Sequence, residues 1–221
     1  MEGSTAILPK GRQPMQRNLL KSGRVLIPAV IAALVWSGGT PAFAQLAFVE
    51  RTGQSECFDA AGNLIDCGGT GQDGEIQAGV AFPATRFRDN GDGTVTDRLT
   101  HLVWLRDASC LGTWAWVNAL TAVASLNAGT DFECQDYSAG TFADWRLPNI
   151  KELQSLIDFG HSEPALPPDH PFFDVRSAGY WSSTTAAVNR ANALLVLLAG
   201  GNTDGVDKDL ARRVWPVRQG K

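Results

Sequence analysis

Apolar and polar positions change their period several times along this chain, and each change marks an element. The first is a run of twelve apolar residues, Val25 to Trp36. It follows Lys10, Arg12, Arg17, Lys21 and Arg24, and it precedes Gly38, Gly39 and Pro41. A basic stretch, an apolar core and the small-residue end Ala42-Phe43-Ala44 make up the order of an export leader. Residues 1–44 are therefore expected to be a signal peptide, with Met15 as a second candidate start. An uncleaved anchor is the alternative, but a helical crossing needs about 20 apolar residues. No cysteine stands at the cleavage point, so no lipid-anchored product is expected.

Residues 45–82 read as a Gly-rich lead-in. Within it, Cys57 to Cys67 has the outline of a small hairpin turning at Gly62-Asn63. Residues 68–79, rich in Gly and Asp, read as a linker. Pro83 opens the main domain, residues 83–221. Arg86 to Asp97 is a second hairpin, because Asn90-Gly91 and Asp92-Gly93 supply the positive φ angles of a tight turn. Leu102 to Leu105 is a short buried strand. Thr113 is placed to cap a helix from Trp114 to Leu126. Trp116, Leu120, Val123 and Ala124 lie on one face of it, and Asn127 and Gly129 end it. Asn149 with Glu152 three residues on is a capping box for a second helix. Leu153, Leu156 and Ile157 form its apolar side, and Gly160 terminates it.

Four prolines between Glu163 and Pro171 require an extended loop. Strand-like segments then follow at Tyr180 to Thr184, Ala193 to Ala199 and Gly205-Val206. A closing strand runs from Arg213 to Arg218, where Pro216 points to an edge or end position. Helices first and a C-terminal antiparallel β-meander last make this an α+β domain with two helices.

Composition sharpens this picture. Hydrophobic residues make up 44% and charged residues 19%, the balance of a chain with a packed core. The net charge of −4 becomes about −8 once the leader's five basic residues and one acid are removed. That excludes a nucleic-acid partner, which requires a basic footprint, and the mature chain has no transmembrane span. All four cysteines lie beyond the leader. An even number in an exported chain points to disulfides, and of three pairings Cys57–Cys67 with Cys110–Cys134 is favoured. A zinc site lacks support, because no Cys-x-x-Cys pair occurs.

Candidate chemistry is sparse. Asp89, Asp92 and Asp97 are the candidate calcium ligands, and Asp73 and Glu75 stand upstream. Their spacing departs from the EF-hand order, and a plain Asx-rich turn accounts for the same residues. Calcium is the one cofactor considered; otherwise none is expected. His161 and His170 flank the Pro-rich loop with Glu163 and Asp169 nearby, a combination that serves zinc binding or acid–base work. Ordinary exposed loop polarity is the simpler reading, and His101 reads as a strand-end residue. Ser182 to Thr185 lacks a nucleophile elbow, and Gly68 to Gly71 lacks the rest of a phosphate loop. Trp104, Trp145, Trp181 and Trp215 are assigned to the core, while one of Trp114 and Trp116 is expected to be partly exposed.

Several segments together resemble one family. They are Arg86 to Asp97 leading into Leu99 to Trp104; Asp144 to Asn149 with Lys151 to Leu156; Tyr180 to Thr185; and Val214 to Arg218. In number and order they resemble the Lcl C-terminal domain family, named for a collagen-like adhesin, over about Pro83 to Arg218. The resemblance implies a C-type-lectin-like fold and, in the adhesin, attachment through glycosaminoglycans. This chain is acidic and has no collagen-like stalk to multiply weak contacts. The segment from Trp145 to Pro148 is also similar to the formylglycine-generating (sulfatase-modifying) fold. Its reactive cysteine pair has no counterpart after Cys134, and the Glu-Pro-Asn and Trp-Asn-Asp signatures of calcium-dependent lectins do not occur. Ala193 to Ala199 is aliphatic, which favours core packing there over an aromatic ligand surface.

The expectation is an exported, non-catalytic binding or adhesion-type module in the periplasm or at the cell exterior. Its expected partner is a glycan or an envelope or host protein. Arg190, Lys208, Arg212 and Arg213, with Arg218, are the candidate basic ligand residues; ordinary surface charge is the simpler reading. The ligand face is expected on the loops around His161 to Pro171 and Asn189 to Asp209. The alternatives are an enzyme using the loop histidines and carboxylates, or a structural envelope protein.

Overall fold

A computed structural model describes residues 49–130, 132 and 134–220. The expected signal peptide lies outside the described residues. The architecture is α+β and mostly sheet. In the lead-in, β1 (Cys57–Phe58) and β2 (Leu64–Ile65) form an antiparallel hairpin, followed by the single-turn helix α1 (Asp73–Ile76). The turn forms where Gly62 donates to the Asp59 carbonyl and the Asp59 carboxylate accepts from Ala61 and Asn63. The Cys57–Cys67 disulfide lies at the open end of this hairpin, and Cys110–Cys134 is also formed, as the sequence predicted.

Two sheets build the main body. β3 (Phe87–Asp89), β4 (Thr94–Asp97), β5 (Leu102–Leu105) and β11 (Val217–Gln219) form a four-stranded antiparallel sheet in the order β11-β5-β4-β3. The second sheet contains β6 (Thr113–Trp114), β7 (Gly179–Thr185), β8 (Asn192–Leu197), β9 (Asn202–Asp207) and β10 (Arg212–Arg213). Its order is β6-β10-β7-β8-β9. The predicted meander is β7-β8-β9, but β10 joins it in parallel through Arg213 and Tyr180.

The expected single closing strand is in fact two. Arg212 and Arg213 pair in the second sheet, whereas Val217 to Gln219 pair in the first. Val214, Trp215 and Pro216 carry the chain between them. Pro216 has no N–H for a ladder, so a break is where such a residue fits. Trp215 then sits fully buried, with ring centroids 5.5 Å from Trp104, 4.8 Å from Phe172 and 5.6 Å from Tyr180. Its indole N–H donates to the Leu105 carbonyl at 2.7 Å. Residues from both sheets and the Pro-rich segment thus meet on one side chain. Trp104, Trp145 and Trp181 are buried as expected.

The first long helix, α2 (Trp116–Ala128), starts two residues later than predicted. Thr113 and Trp114 are taken by strand pairing with Arg213 and Arg212, so Thr113 caps nothing. The Trp116 amide instead donates to the Lys208 carbonyl at 2.8 Å. Gly129, in the left-handed region, ends the helix as predicted. The buried face is also rotated from the expected one: Ala119, Ala122, Val123 and Leu126 are buried, while Leu120 is exposed. The second long prediction shortens to α3 (Ile150–Gln154). Its capping box forms in full, with Asn149 accepting from Lys151 and Glu152, and Glu152 accepting from Asn149. The helix stops at Ser155 rather than Gly160: Leu156 and Ile157 N–H turn to the carbonyls three residues back, Leu153 and Gln154, and Asp158 N–H then goes to the Ala165 carbonyl. Among the described residues, no helix is long and apolar enough to cross a membrane.

Candidate functional site

The strand β6 and the helix α2 project a mixed apolar and polar surface. Trp114 is 41% exposed, because its indole N–H is held by the Leu111 carbonyl while the ring is left open. Beside it runs a groove of about 380 Å³ lined by Trp114, Asn118, Thr121, Ala122, Ser125 and Phe132. Asn118 and Thr121 are exposed positions on the first two turns of α2. The groove therefore offers an aromatic ring, an amide and hydroxyls together.

The basic candidates fall into separate environments. Arg212 is the direct cross-strand partner of Trp114, which sends both side chains to one face of the sheet. The Lys208 ammonium lies 4.3 Å from the Trp116 ring centroid and donates to the Thr185 hydroxyl and the Arg190 carbonyl. Arg190 is exposed beside it. Arg213 is different: its guanidinium donates to the Ser109 hydroxyl at 3.0 Å and is half-buried. Arg218 lies over the Phe142 ring at 3.9 Å and pairs with Asp144. The structure thus brings Lys208 to Trp116 and Arg212 to Trp114, sets the Arg190 backbone beside Lys208, and leaves Arg213 and Arg218 outside. Asp204, Asp207 and Asp209 stand exposed on the same stretch as Lys208, so the local charge is mixed.

The three calcium candidates do not converge. Asp97 is fully buried; it accepts two hydrogen bonds from Arg86, at 3.1 and 2.9 Å, and further ones from Leu99 N–H and the Thr100 hydroxyl. Asp92 accepts from the amide and hydroxyl of Thr94. Asp89 accepts from Gly91 N–H and pairs with Arg106 at 3.2 Å. Asp73, upstream, is hydrogen-bonded by the Thr52 hydroxyl, and Glu75 accepts from Gly69 and Gly71 N–H. Each carboxylate already has protein donors, as in a plain Asx-rich turn. Among the described residues, no group of three His, Cys, Asp or Glu side chains is placed to hold a metal ion.

The loop histidines are also apart. His161 Nδ1 lies 3.1 Å from the buried carboxylate of Asp158. Asp158 was missed at the sequence level, although its position three residues before His161 was the available signal. His170 lies 5.7 Å from the Phe172 ring, with a buried Nδ1 that has no partner among the described residues. Burial pushes its pKa below the usual histidine range. Glu163 and Asp169 are exposed, and Ser182 is buried with its hydroxyl donating to the Leu194 carbonyl. A second cleft, of about 340 Å³, is lined by Gly53 to Glu56, Phe58 and Phe159 to Ser162.

Comparison with curated proteins gave no match. The profile of the Lcl C-terminal domain matches residues 93–218, which begins inside the Asx-rich turn and ends in the last strand. That span holds both main sheets except β3, both helices of the main body, and Trp114 with its groove. With more than half of its 221 residues matched, the chain belongs to the Lcl C-terminal domain family.

Proposed function

We propose that this chain is an exported, non-catalytic binding module of C-type-lectin-like fold, and that its ligand is a glycan held in the Trp114 groove. The observation that carries this reading is the open face of Trp114 above Asn118, Thr121 and Ser125. A sugar ring has apolar C–H faces and polar edges. An aromatic ring covers the first, and amide and hydroxyl groups hydrogen-bond the second. The mixed charge around Lys208 favours a neutral or weakly acidic sugar over a sulfated polyanion, which needs net positive potential. The non-catalytic part is supported by the different neighbours of His161 and His170, Asp158 and Phe172, and by the commitment of Ser182 to a backbone carbonyl. The two disulfides fit an oxidising compartment, periplasm or exterior.

The test is a glycan array probed with the oxidised protein, with and without calcium. Saturable binding is expected, unchanged by calcium and reduced roughly tenfold or more in Trp114→Ala and Asn118→Ala. Lys208→Ala and Arg212→Ala are expected to weaken acidic glycans alone. No saturable binding to any glycan would overturn the reading.

A further inference from the structure

We infer that the second cleft, between the lead-in and the Asp158 to Ser162 turn, is a separate binding site for a cation carried on an aliphatic stem, such as the end of an arginine or lysine side chain. It lies outside the Trp114 groove and shares no lining residue with it.

The lead-in is acidic. Residues 49–82 contain six Asp or Glu and one basic residue, Arg51. Five of those carboxylates are already engaged inside the protein. Glu50 faces Arg86, Asp59 accepts from Asn63, Asp66 accepts from Gly68 N–H, Asp73 accepts from Thr52, and Glu75 accepts from two backbone amides. The sixth, Glu56, has no partner among the described residues, and it is the one that lines the cleft. No Lys or Arg lines the cleft to neutralise it.

The opposite wall supplies the complementary groups. Asp158 is buried; one carboxylate oxygen accepts from Gly160 N–H at 2.8 Å, and His161 Nδ1 lies 3.1 Å from the other. The His161 ring, which is exposed, lines the same wall of the cleft. Phe58 and Phe159, both exposed, complete the lining. An ammonium or guanidinium gains from the Glu56 carboxylate and from the aromatic rings of Phe58 and Phe159 at once, whereas an anion is repelled by that carboxylate. The walls are held together: Phe159 N–H donates to the Thr52 carbonyl at 2.7 Å. Gly53 packs so closely against Asp158 that an added Cβ would collide with its carboxylate. A cleft fixed in this way requires little ordering when it binds.

The probes are Nα-acetyl-arginine methylamide, Nα-acetyl-lysine methylamide and, as the neutral isostere, Nα-acetyl-citrulline methylamide. Each is titrated into the oxidised protein by calorimetry, with the His161 ring signals followed by NMR. Saturable binding of one or both cationic probes is expected, with a shift of the His161 ring resonances. The citrulline probe and the Glu56→Gln variant should each bind roughly tenfold more weakly or worse. Glu56 is exposed, so this variant keeps the fold, and Trp114→Ala should bind the cations as wild type does. The inference is overturned if neither cation saturates by about 10 mM, if citrulline binds equally, or if Glu56→Gln changes nothing. The glycan result stands or falls independently, because it is read on Trp114.

Discussion

Arg86 and Asp97 face each other across the base of the β3–β4 hairpin as a fully enclosed ion pair, with two parallel N–H···O bonds at 3.1 and 2.9 Å. Arg86 also donates to the Ser155 carbonyl just past α3, which ties the first sheet to that helix. Removing one partner of a buried pair leaves the other charged and dry, at a cost of about 3–5 kcal/mol. Asp97→Ala is therefore expected to lower urea stability by about that amount. A loss near zero would show that the pair is not enclosed in solution.

The same geometry speaks to calcium. Binding there would have to release Asp97 from Arg86, and Asp89 and Asp92 from their turn donors. A ligand at a hundred times its Kd stabilises a fold by about 2.7 kcal/mol, which raises Tm by several degrees. With millimolar calcium, Tm is expected to move by less than about 1 °C. A rise of several degrees would assign a cation to this turn.

The two disulfides should differ in reach. Cys110–Cys134 joins residues 24 apart within the main body, and Cys57–Cys67 joins residues 10 apart in the small hairpin. Chain-entropy arguments give about 3 kcal/mol for loops of this size. Replacing Cys110 and Cys134 together by Ala is expected to lower global stability by about that amount in urea titration. Replacing Cys57 and Cys67 should chiefly raise hydrogen exchange of the β1 and β2 amides, because most side chains of that hairpin are exposed. Equal global losses for both pairs would mean that the lead-in and the main body unfold as one unit.

Glu50 gives the protein a pH dependence. Burial raises its pKa from 4.5 to about 7; the Arg86 charge lowers it in part, and Asp97 adds to the rise. A carboxyl raised on folding favours the folded state most below its unfolded value and loses that contribution as pH climbs through the folded one. Relative to Glu50→Gln, the wild type is expected to lose stability as pH rises from 4.5 to about 7, then to run parallel above it. Urea midpoints of the two proteins across that window provide the check. Curves parallel throughout would place the Glu50 carboxyl in water.

Much of the local structure was legible in the sequence because short-range chemistry decides it. The Asn149–Glu152 capping box, Gly129 at the end of α2, the Asn90 to Gly93 turn and both cysteine pairings depend on residues close in the chain, and all formed. The four core tryptophans followed from their apolar neighbours. Misreadings arose where a distant segment competed. Thr113 is a good helix cap in isolation, yet Arg213 offered it a strand partner instead. Asp97 looked like a metal ligand from its place in an acidic, Gly-rich stretch, but the hairpin folds Arg86, eleven residues back and just before β3, onto its carboxylate.

The sequence by itself determined the α+β class, the disulfide pairs and the family, since all of these rest on composition, local pattern and motif order. Only the tertiary structure decided which polar groups remain open. It turned Arg213 toward Ser109, occupied Asp89, Asp92 and Asp97 with internal donors, set His161 beside Asp158, and left Trp114, Asn118 and Glu56 lining open grooves. A side chain's availability depends on which neighbours, two residues away or a hundred, the folded backbone turns toward it, and sequence spacing alone does not encode that.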